Sequence, residues 1–531
     1  MAGHPHLIAL LMVGSYLAAT LVIGYLARQR RESSAQFLHA RGKLPTAVTA
    51  LAFLAANCGA LEIVGLVATS AKYGALALQF YWLGAIPAML FLALFMMPVY
   101  MRSGAMTVPD FLRVRFGPAT HILSAVFLAV MMAFVAGIGL YAISWVLHVF
   151  LGAGFFAIAV AATAVVLCYV LVGGLQATIY NEVLQLGLVI AGLIPLAWAV
   201  LRDFHGLDGL RRELPPNMVH LWISLPLMQP HTATMDDLGL VAGLGFILGC
   251  GYWCTDFLLI QRALAARSPA GPINTPLLAA VPKMFFPILV VVPGLAAALF
   301  LRRRGITGYD QALPFLMRHY YGPVLLGLGI AAVLASLMSG LAGNINALST
   351  VWTHDLYRQY LRPGRSDAHY LAAGRLAAVA ASVMSLLTAW ICFRYNDLMD
   401  YLQLLFSLFN APLFAIFLLG MFTTWATPSA AFQGLLGGLI VAVAHLLAVR
   451  FGLLHYGSQM LADFYGAIYG WSGGMAVAMI VSCFTPAKSL GELQGITWNT
   501  QQGSRVRIPA QSWVLAAVVL ACCAVLNYIF R

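Results

Sequence analysis

Four ionisable side chains interrupt long apolar stretches of this sequence. They are Glu62, Glu182, Asp256 and Lys283, each with mostly aliphatic and aromatic neighbours along the chain. If these stretches lie in a bilayer, a charge within them is costly and usually serves a pocket, an ion pathway or an ion pair. Glu62 is the deepest in its stretch and is predicted to face a pocket.

For each of the other three residues, a position without a functional role is an alternative interpretation. Lys283 stands near the end of its stretch and could extend its ammonium to the membrane interface. Glu182 opens its stretch and could lie at headgroup level, where a helix N-terminus favours a negative charge. Asp256 could form a structural pair with Arg262, which comes directly after the same stretch.

Two stretches are rich in small residues. The stretch 45–70 contains Asn57-Cys58-Gly59-Ala60 near its middle, and the stretch 237–261 carries Gly245, Gly249 and Gly251 before Tyr252 and Trp253. Small residues weaken a helix and let backbone carbonyls turn toward a ligand. Both stretches are therefore predicted to be broken helices of the kind that transporter repeats use, although small residues also serve close helix packing.

A third stretch, 323–352, carries many hydroxyl groups, including those of Ser336 and Ser339. Hydroxyl and carbonyl oxygens are hard ligands that suit a cation such as an alkali ion. The alternative is that these hydroxyls bond back onto their own helix.

The composition sets the class of protein. Apolar residues make up 62% of the 531 residues and charged residues only 9%, whereas a soluble domain carries roughly 25% charged residues. A soluble enzyme and a disordered chain are both excluded. Long apolar runs without strand-like alternation predict an all-α polytopic membrane protein rather than a barrel.

We predict about fourteen transmembrane helices, since each needs about 20 apolar residues. If the N-terminus lies outside, 17 of the 29 Lys and Arg residues fall on the cytoplasmic side and 11 outside, the bias that sets membrane orientation. The net charge of +12 is then largely topological, and a nucleic-acid partner is not expected. The prediction is a multi-pass protein of a bacterial plasma (inner) membrane, with the lipid bilayer and a small solute as partners and no obligate protein partner.

Five spans run from the second to the sixth and five from the seventh to the eleventh, which favours an inverted 5+5 repeat. The predicted units are an N-terminal helix with a basic loop (1–44), a first repeat (45–201), an outer loop (202–236), a second repeat (237–423) and three peripheral helices (424–531). No loop is long enough for a separate catalytic domain.

At these segments the chain resembles the sodium:solute symporter family, whose members include symporters for galactose, proline, pantothenate and sialic acid. The likeness rests, in order and spacing, on LAANCGALEIVGL, YGALALQFYW, MRSGAMTVPDFLRVRFG, VLVGGLQATIYNEVLQ, YWCTDFLLIQRALAARS and INALSTVWTHDLY. The resemblance implies a LeuT-like fold whose core is a ten-helix inverted repeat. It also implies solute uptake coupled to inward sodium movement by alternating access.

The resemblance further implies one sodium site. The family's carbonyl ligands fall at Ala55 and Cys58, and its ligands on the eighth core helix fall at Ser336 (backbone) and Ser339. Gly340 stands where the family usually has Ser or Thr, so one hydroxyl ligand is missing.

Some members bind a second sodium through two further hydroxyls and an aspartate. Those positions match Ala342, Gly343 and Glu182, so a second sodium ion is not expected here. Coupling could instead use protons, with Glu182 or Glu62 as the carrier.

The sugar-binding members imply a solute pocket, and about half of their sugar contacts are changed here. Their first-helix glutamine falls at Glu62, for example, and their lysine at Lys283. Glu62 and Lys283 could form a buried pair or could meet an amino-bearing solute. The residues predicted to bind solute are Asn57, Glu62, Tyr81, Tyr252, Trp253, Lys283 and Gln403.

The sequence therefore predicts a secondary active symporter for a small polar organic solute, sugar or sugar-like, driven by the inward sodium gradient. One alternative is a proton-coupled or uncoupled carrier of an amino or carboxylic solute. Another is a transporter-like sensor that has lost coupling, although no signalling segment follows the last apolar span. An enzyme is not expected, because no His/Glu zinc pattern such as HExxH occurs.

Overall fold

The computed structural model describes residues 4–26, 42, 44–59, 61–222, 235–305, 308–392, 398–500 and 508–530. Most of the predicted basic loop, 28–44, and the middle of the outer loop, 202–236, lie outside the described residues. Helices make up most of the described chain, and its one isolated β-bridge joins Leu44 to Ala266.

The helices differ in length because glycine, proline and capping residues divide the apolar runs. In chain order they are α1 (His4–Leu26), α2 (Thr46–Asn57), α3 (Glu62–Leu78), α4 (Phe80–Ser103), α5 (Val108–Phe116), α6 (Pro118–Phe150), α7 (Phe155–Val172), α8 (Gly174–Asp203), α9 (Leu207–Glu213), α10 (Gly239–Thr255), α11 (Phe257–Leu264), α12 (Gly271–Arg303), α13 (Ala312–Tyr320), α14 (Pro323–Leu361), α15 (Asp367–Cys392), α16 (Leu398–Phe422), α17 (Pro428–Arg450), α18 (Gln459–Phe484) and α19 (Ala510–Ile529).

Among the described residues, eleven helices are long and apolar enough to cross a bilayer. Counting each of the two bent pairs, α2–α3 and α10–α11, as one span brings the number to 13. The predicted count of about fourteen spans is therefore not confirmed. The difference lies in α1, whose apolar part Leu11–Leu26 is shorter than the other spans.

Two sharp bends fall in the stretches that were predicted to be broken. The axes of α2 and α3 differ by 57°, and those of α10 and α11 by 51°. At the first bend, Cys58 leaves the helical conformation with φ −73° and ψ 46°. At the second bend, Asp256 is extended and its carboxylate accepts a hydrogen bond of 2.8 Å from the Leu258 amide. Asp256 thus caps α11, because the first amides of a helix have no partner within it.

Two elements differ from the sequence prediction. The segment 174–178, predicted as a cytoplasmic loop, is helical, and α7 and α8 are separated only by a kink at Gly174 with φ 54° and ψ −151°. A positive φ of this kind is one that glycine adopts without steric cost. The predicted stretch 323–352 also continues as helix to Leu361.

α14 packs against α1, α6 and α8 in the middle of the bundle. A buried cation joins two other helices, α5 and α16. At one end of the bundle, the wholly buried Arg115 of α5 donates hydrogen bonds of 3.1 Å to the carbonyls of Gly420, Thr423 and Ala426. These are the C-terminal carbonyls of α16 and its following turn, which have no helical donor. The contact holds α5 against α16, one of the helices that line the central cavity.

Candidate functional site

A cavity with about 690 Å³ of empty space lies beside the two helix breaks. Its walls come from α2, α3, α4, α10, α12 and α16, with one residue from α6. All seven residues that were predicted to bind solute line it, namely Asn57, Glu62, Tyr81, Tyr252, Trp253, Lys283 and Gln403. Helices that are far apart along the chain therefore bring these side chains to one place.

A chain of polar contacts crosses the cavity from α12 to α10. Lys283 donates to Glu62 Oε1 at 2.6 Å and also to the amide oxygen of Asn57. The Asn57 amide nitrogen donates in turn to the Tyr252 hydroxyl at 3.1 Å. The Lys283 side chain is 1% exposed and that of Glu62 is 8% exposed. Lys283 is therefore an internal cation, and the alternative of an ammonium reaching the interface is wrong.

Aromatic rings surround the Lys283 ammonium. The ring centres of Tyr81, Trp253 and Phe286 lie 4.8, 5.6 and 5.5 Å from its nitrogen. A cation at this distance from a ring face is attracted by the ring's quadrupole. The rings and the Glu62 carboxylate together offset the cost of burying the charge.

Two aromatic residues of the site were missed from the sequence. Phe286 follows Lys283 by three residues, and Phe406 follows Gln403 by three. Phe406 lines the cavity and stacks on Tyr252 with ring centres 5.2 Å apart. Residues three apart share a helix face, so the spacing from two predicted pocket residues was the available signal.

Gln403 offers the cavity an acceptor. Its amide nitrogen donates to the Met399 sulfur at 3.5 Å. Its Oε1 is buried and has no hydrogen-bond partner within the part of the chain that the structure describes. A buried acceptor without a donor is costly, so a donor group on a bound solute would stabilise it.

A second group of oxygens lies along the seam between α2 and α14. The Ser336 hydroxyl donates to the Cys58 carbonyl at 2.6 Å, and the Ser339 hydroxyl donates to the Ala55 carbonyl at 3.2 Å. The helical partner of Ala55 is missing because the Gly59 amide bonds to Asn57 instead. The break in α2 thus leaves a carbonyl facing α14, and the four predicted sodium residues lie together.

The two helices approach closely through glycines at this seam. A methyl group built on Gly340 would lie 3.5 Å from the Gly59 Cα, an ordinary contact, and it would meet no other atom within 4 Å. The position therefore has room for the serine that the family resemblance leads one to expect.

Glu182 forms a sealed ion pair with Arg262. The two Arg262–Glu182 hydrogen bonds measure 2.5 and 3.2 Å, and both side chains are 0% exposed. Among the described residues, both alternative interpretations are therefore wrong, because Glu182 is buried and Arg262 pairs with Glu182 and not with Asp256. A methyl group built on Gly343 would lie 3.0 Å from a terminal nitrogen of Arg262, so the guanidinium lies against the α14 backbone there.

A third ion pair joins two of the cavity helices. Lys72 of α3 lies 2.8 Å from Asp400 of α16, and the two side chains are 26% and 11% exposed. The same helices supply Glu62 and Gln403 to the cavity. The three pairs thus differ in how far they are shielded from water.

Comparison with known proteins places this geometry in a family. The sequence model of the "Sodium:solute symporter family" matches residues 37–438. The sodium/mannose cotransporter of Bos taurus is 30% identical over 467 residues, which are 79% of this chain and 77% of that protein. The sodium/glucose cotransporter of Vibrio parahaemolyticus is 24% identical over 478 residues, 84% of this chain and 85% of that protein.

A solved structure has the same architecture. The outward-open, substrate-bound structure of a Na+-coupled sialic acid symporter superposes with a TM-score of 0.76 at 18% identity, over 91% of this chain and 99% of that one. This likeness shows the fold, which is LeuT-like as predicted. The family match covers most of the chain, from the segment before α2 into α17. The chain therefore belongs to the sodium:solute symporter family.

Proposed function

We propose that this protein couples inward sodium movement to the uptake of a sugar or a similar polar solute through the cavity between its two broken helices. The observation that carries the proposal is the cavity itself, which gathers seven polar and aromatic side chains beside the α2–α14 seam of oxygens. Relatives named as mannose and glucose cotransporters support the solute class.

The cavity has the chemistry that a polyhydroxy solute needs. Its walls are mostly apolar and aromatic with a few polar side chains, the composition common for small-molecule sites. Tyr252 and Trp253 offer ring faces to the apolar C–H faces of a sugar. Lys283, Glu62 and Gln403 offer a donor and acceptors to its hydroxyl groups.

Sodium is proposed to bind at the seam. The carbonyls of Ala55 and Cys58 and the hydroxyl of Ser339 supply neutral oxygens, with further oxygens from Ser336. In the described arrangement the Ser336 and Ser339 hydroxyls donate to the Cys58 and Ala55 carbonyls. A bound sodium ion would take the place of these hydrogen bonds, since the carbonyl oxygens would then coordinate the ion. Binding would then tie α2, which lines the cavity, to α14. The coupling is reciprocal, since solute must raise sodium affinity by the factor by which sodium raises solute affinity.

The geometry favours sodium over protons as the coupling ion. Glu182, the candidate proton relay, is held by two hydrogen bonds from Arg262. Glu62, the other candidate, is held by Lys283. Each of these carboxylates is thus already engaged in an ion pair with a buried cation. We therefore assign Glu182 to the framework and not to the ion pathway.

We also propose how the molecule is oriented and moves. The repeats 45–201 and 237–423 are proposed to rock against each other around the cavity, in the plasma membrane of a bacterium with the N-terminus outside. The inward bias of Lys and Arg supports this orientation. Alkaline phosphatase and green fluorescent protein fused at 117 and 152 test it: fluorescence at 117 and phosphatase activity at 152 are expected, and the reverse would overturn it.

Uptake into proteoliposomes tests the function. Radiolabelled mannose, glucose and myo-inositol would each be measured with an inward sodium gradient, with choline in place of sodium, and with an inward proton gradient. Saturable accumulation in the sodium condition alone is expected for at least one sugar. Equal uptake in choline would indicate an uncoupled carrier, and uptake driven by the proton gradient would contradict sodium coupling.

A matched pair of serines tests the ion site. Ser339→Ala should raise the sodium concentration for half-maximal uptake about tenfold. Ser349→Ala is the control, because Ser349 is also buried on α14 but donates within its own helix, to the Asn346 carbonyl at 3.0 Å. Similar sodium dependence in both variants would place the ion elsewhere.

A further inference from the structure

A cluster of metal-ligand side chains lies outside the cavity, where α5 meets the end of α14. Asp110 belongs to the first turn of α5, and His354 and Asp355 follow each other on α14. One ligand atom from each lies within 4.8 Å of the other two. An imidazole nitrogen and two carboxylate oxygens form a donor set of the kind that zinc and related transition-metal ions use.

Asp355 is the most buried residue of this cluster. The residue is 1% exposed. Its Oδ1 accepts hydrogen bonds from the Thr107 hydroxyl at 2.6 Å and from His121 at 3.1 Å. Its Oδ2 is also buried and has no hydrogen-bond partner among the described residues. A carboxylate oxygen buried without a partner is costly, and a cation between the three side chains would remove that cost.

The surroundings of the cluster hold its ligands in place. His121 also contacts the Tyr360 hydroxyl through its other ring nitrogen, at 2.7 Å, which fixes the ring that orients Asp355. Ligand orientation by such outer hydrogen bonds is typical of metal centres.

Asp110 is held as well. Its two oxygens accept from the Met106 amide at 3.1 Å and from Arg113 at 2.7 Å. A carboxylate has about four acceptor sites, so Asp110 can keep these donors and still ligate an ion. Arg113 brings one positive charge to two carboxylates, so a net negative charge remains for a dication.

We propose that Asp110, His354 and Asp355 form a binding site for a divalent transition-metal ion, with zinc as the probe, and that the bound ion staples α5 to α14. α14 also carries Ser336 and Ser339, and α5 holds α16 through Arg115. An ion at this junction therefore restrains two helices of the transport core. Zinc binding should be measurable whether or not the proposed transport function is correct. A restrained core should also transport solute more slowly when zinc is bound, and this second expectation rests on the proposed function.

Calorimetry on the purified, EDTA-treated full-length protein tests the site. Zinc should bind with a stoichiometry of one, and magnesium at the same concentration should not compete. His354→Gln should weaken zinc binding at least tenfold. The control is His455→Gln, since His455 is exposed in the loop between α17 and α18. Absence of stoichiometric zinc binding, or equal loss in both variants, would overturn the proposal.

Thermal unfolding separates a lost ligand from a damaged fold. His354 is only partly buried, so the metal-free melting temperature of His354→Gln should stay close to that of the unchanged protein. Zinc should then raise the melting temperature of the unchanged protein and of His455→Gln, because a ligand that binds the folded state stabilises it. A zinc-induced rise of equal size in His354→Gln would contradict the assignment. Asp110→Asn offers a second variant with the same expected loss.

Discussion

Two of the protein's buried carboxylates form ion pairs whose surroundings differ. The Glu182–Arg262 pair is sealed, with both side chains 0% exposed. The Glu62–Lys283 pair lines the cavity, where the Glu62 side chain is 8% exposed. Arg262 also donates hydrogen bonds to the Leu258 carbonyl and to the Gln261 side chain. Lys283 instead donates to Asn57 and lies over three aromatic rings.

This difference in exposure indicates different roles for the two ion pairs, one in stabilising the fold and one in binding solute. A sealed pair can exchange neither partner for water or solute, so its net effect is to hold α8 and α11 in one arrangement. A pair that lines a cavity can loosen while solute takes over one of its contacts. We therefore expect loss of the first pair to act on stability and loss of the second to act mainly on solute affinity.

The largest effect is expected from Glu182→Ala. It leaves the Arg262 charge buried without its carboxylate, and breaking a buried pair costs about 3–5 kcal/mol. Thermal unfolding in detergent should show a melting temperature far below that of the unchanged protein.

The double variant Glu182→Ala/Arg262→Met is the control for this prediction. It removes both charges, and replacing a whole buried pair by apolar groups is often neutral. It should recover most of the lost melting temperature. A double variant as unstable as the single one would mean that packing, and not the unpaired charge, explains the loss.

A smaller loss of stability and a larger loss of recognition are expected from Glu62→Ala. Lys283 keeps Asn57 and its aromatic neighbours, and the cavity can admit water to the ammonium. Losing a hydrogen bond to a charged group costs about 1.5–3 kcal/mol, part of which that water returns. The solute concentration for half-maximal uptake should rise about tenfold, equal to about 1.4 kcal/mol. Unchanged solute affinity would remove Glu62 from the pocket.

The sequence predicted the broken helices better than it predicted the ion pairs. Small residues weaken a helix wherever it packs, so Asn57-Cys58-Gly59 marked the first bend locally. The partner of Arg262 could not be found in this way. Asp256 is nearer in sequence, but it turns to cap α11 because the chain is extended there. Glu182 reaches Arg262 only through the packing of α8 and α11, a long-range property.

Lys283 is a second residue whose position could not be predicted from the local sequence pattern. Its position near the end of a predicted span suggested an interfacial lysine. In the structure α12 continues from Gly271 to Arg303, so Lys283 lies well inside the helix. The resemblance to a family of known fold, and not the local pattern, placed it in the pocket.

Gly340→Ser tests whether sodium uses the neutral seam and not a carboxylate. The seam has room for the added side chain, since a methyl group there makes only one ordinary contact. One added hydroxyl ligand should lower the sodium concentration for half-maximal uptake several-fold, an effect of about 1 kcal/mol. Gly329→Ser on the same helix is not a usable control, because a methyl group there would lie 2.4 Å from the Met317 methyl carbon. The Ser349→Ala variant serves as the control instead. An equal change in its sodium concentration for half-maximal uptake would contradict a sodium site at the seam.

The smallest effect is expected from Lys72→Met, which removes an ion pair that is more exposed than Glu182–Arg262 and Glu62–Lys283. Lys72 and Asp400 lie 2.8 Å apart but are 26% and 11% exposed, and a pair of this kind contributes about 0–1 kcal/mol. Salt screens exposed charges beyond a Debye length that falls from about 10 Å at 0.1 M to about 3 Å at 1 M, and it screens buried pairs much less. The small difference in melting temperature between Lys72→Met and the unchanged protein should therefore shrink at high ionic strength, whereas the difference for Glu182→Ala should persist. If both differences shrank together, water would reach the Glu182–Arg262 pair, and that pair could no longer be assigned to the framework.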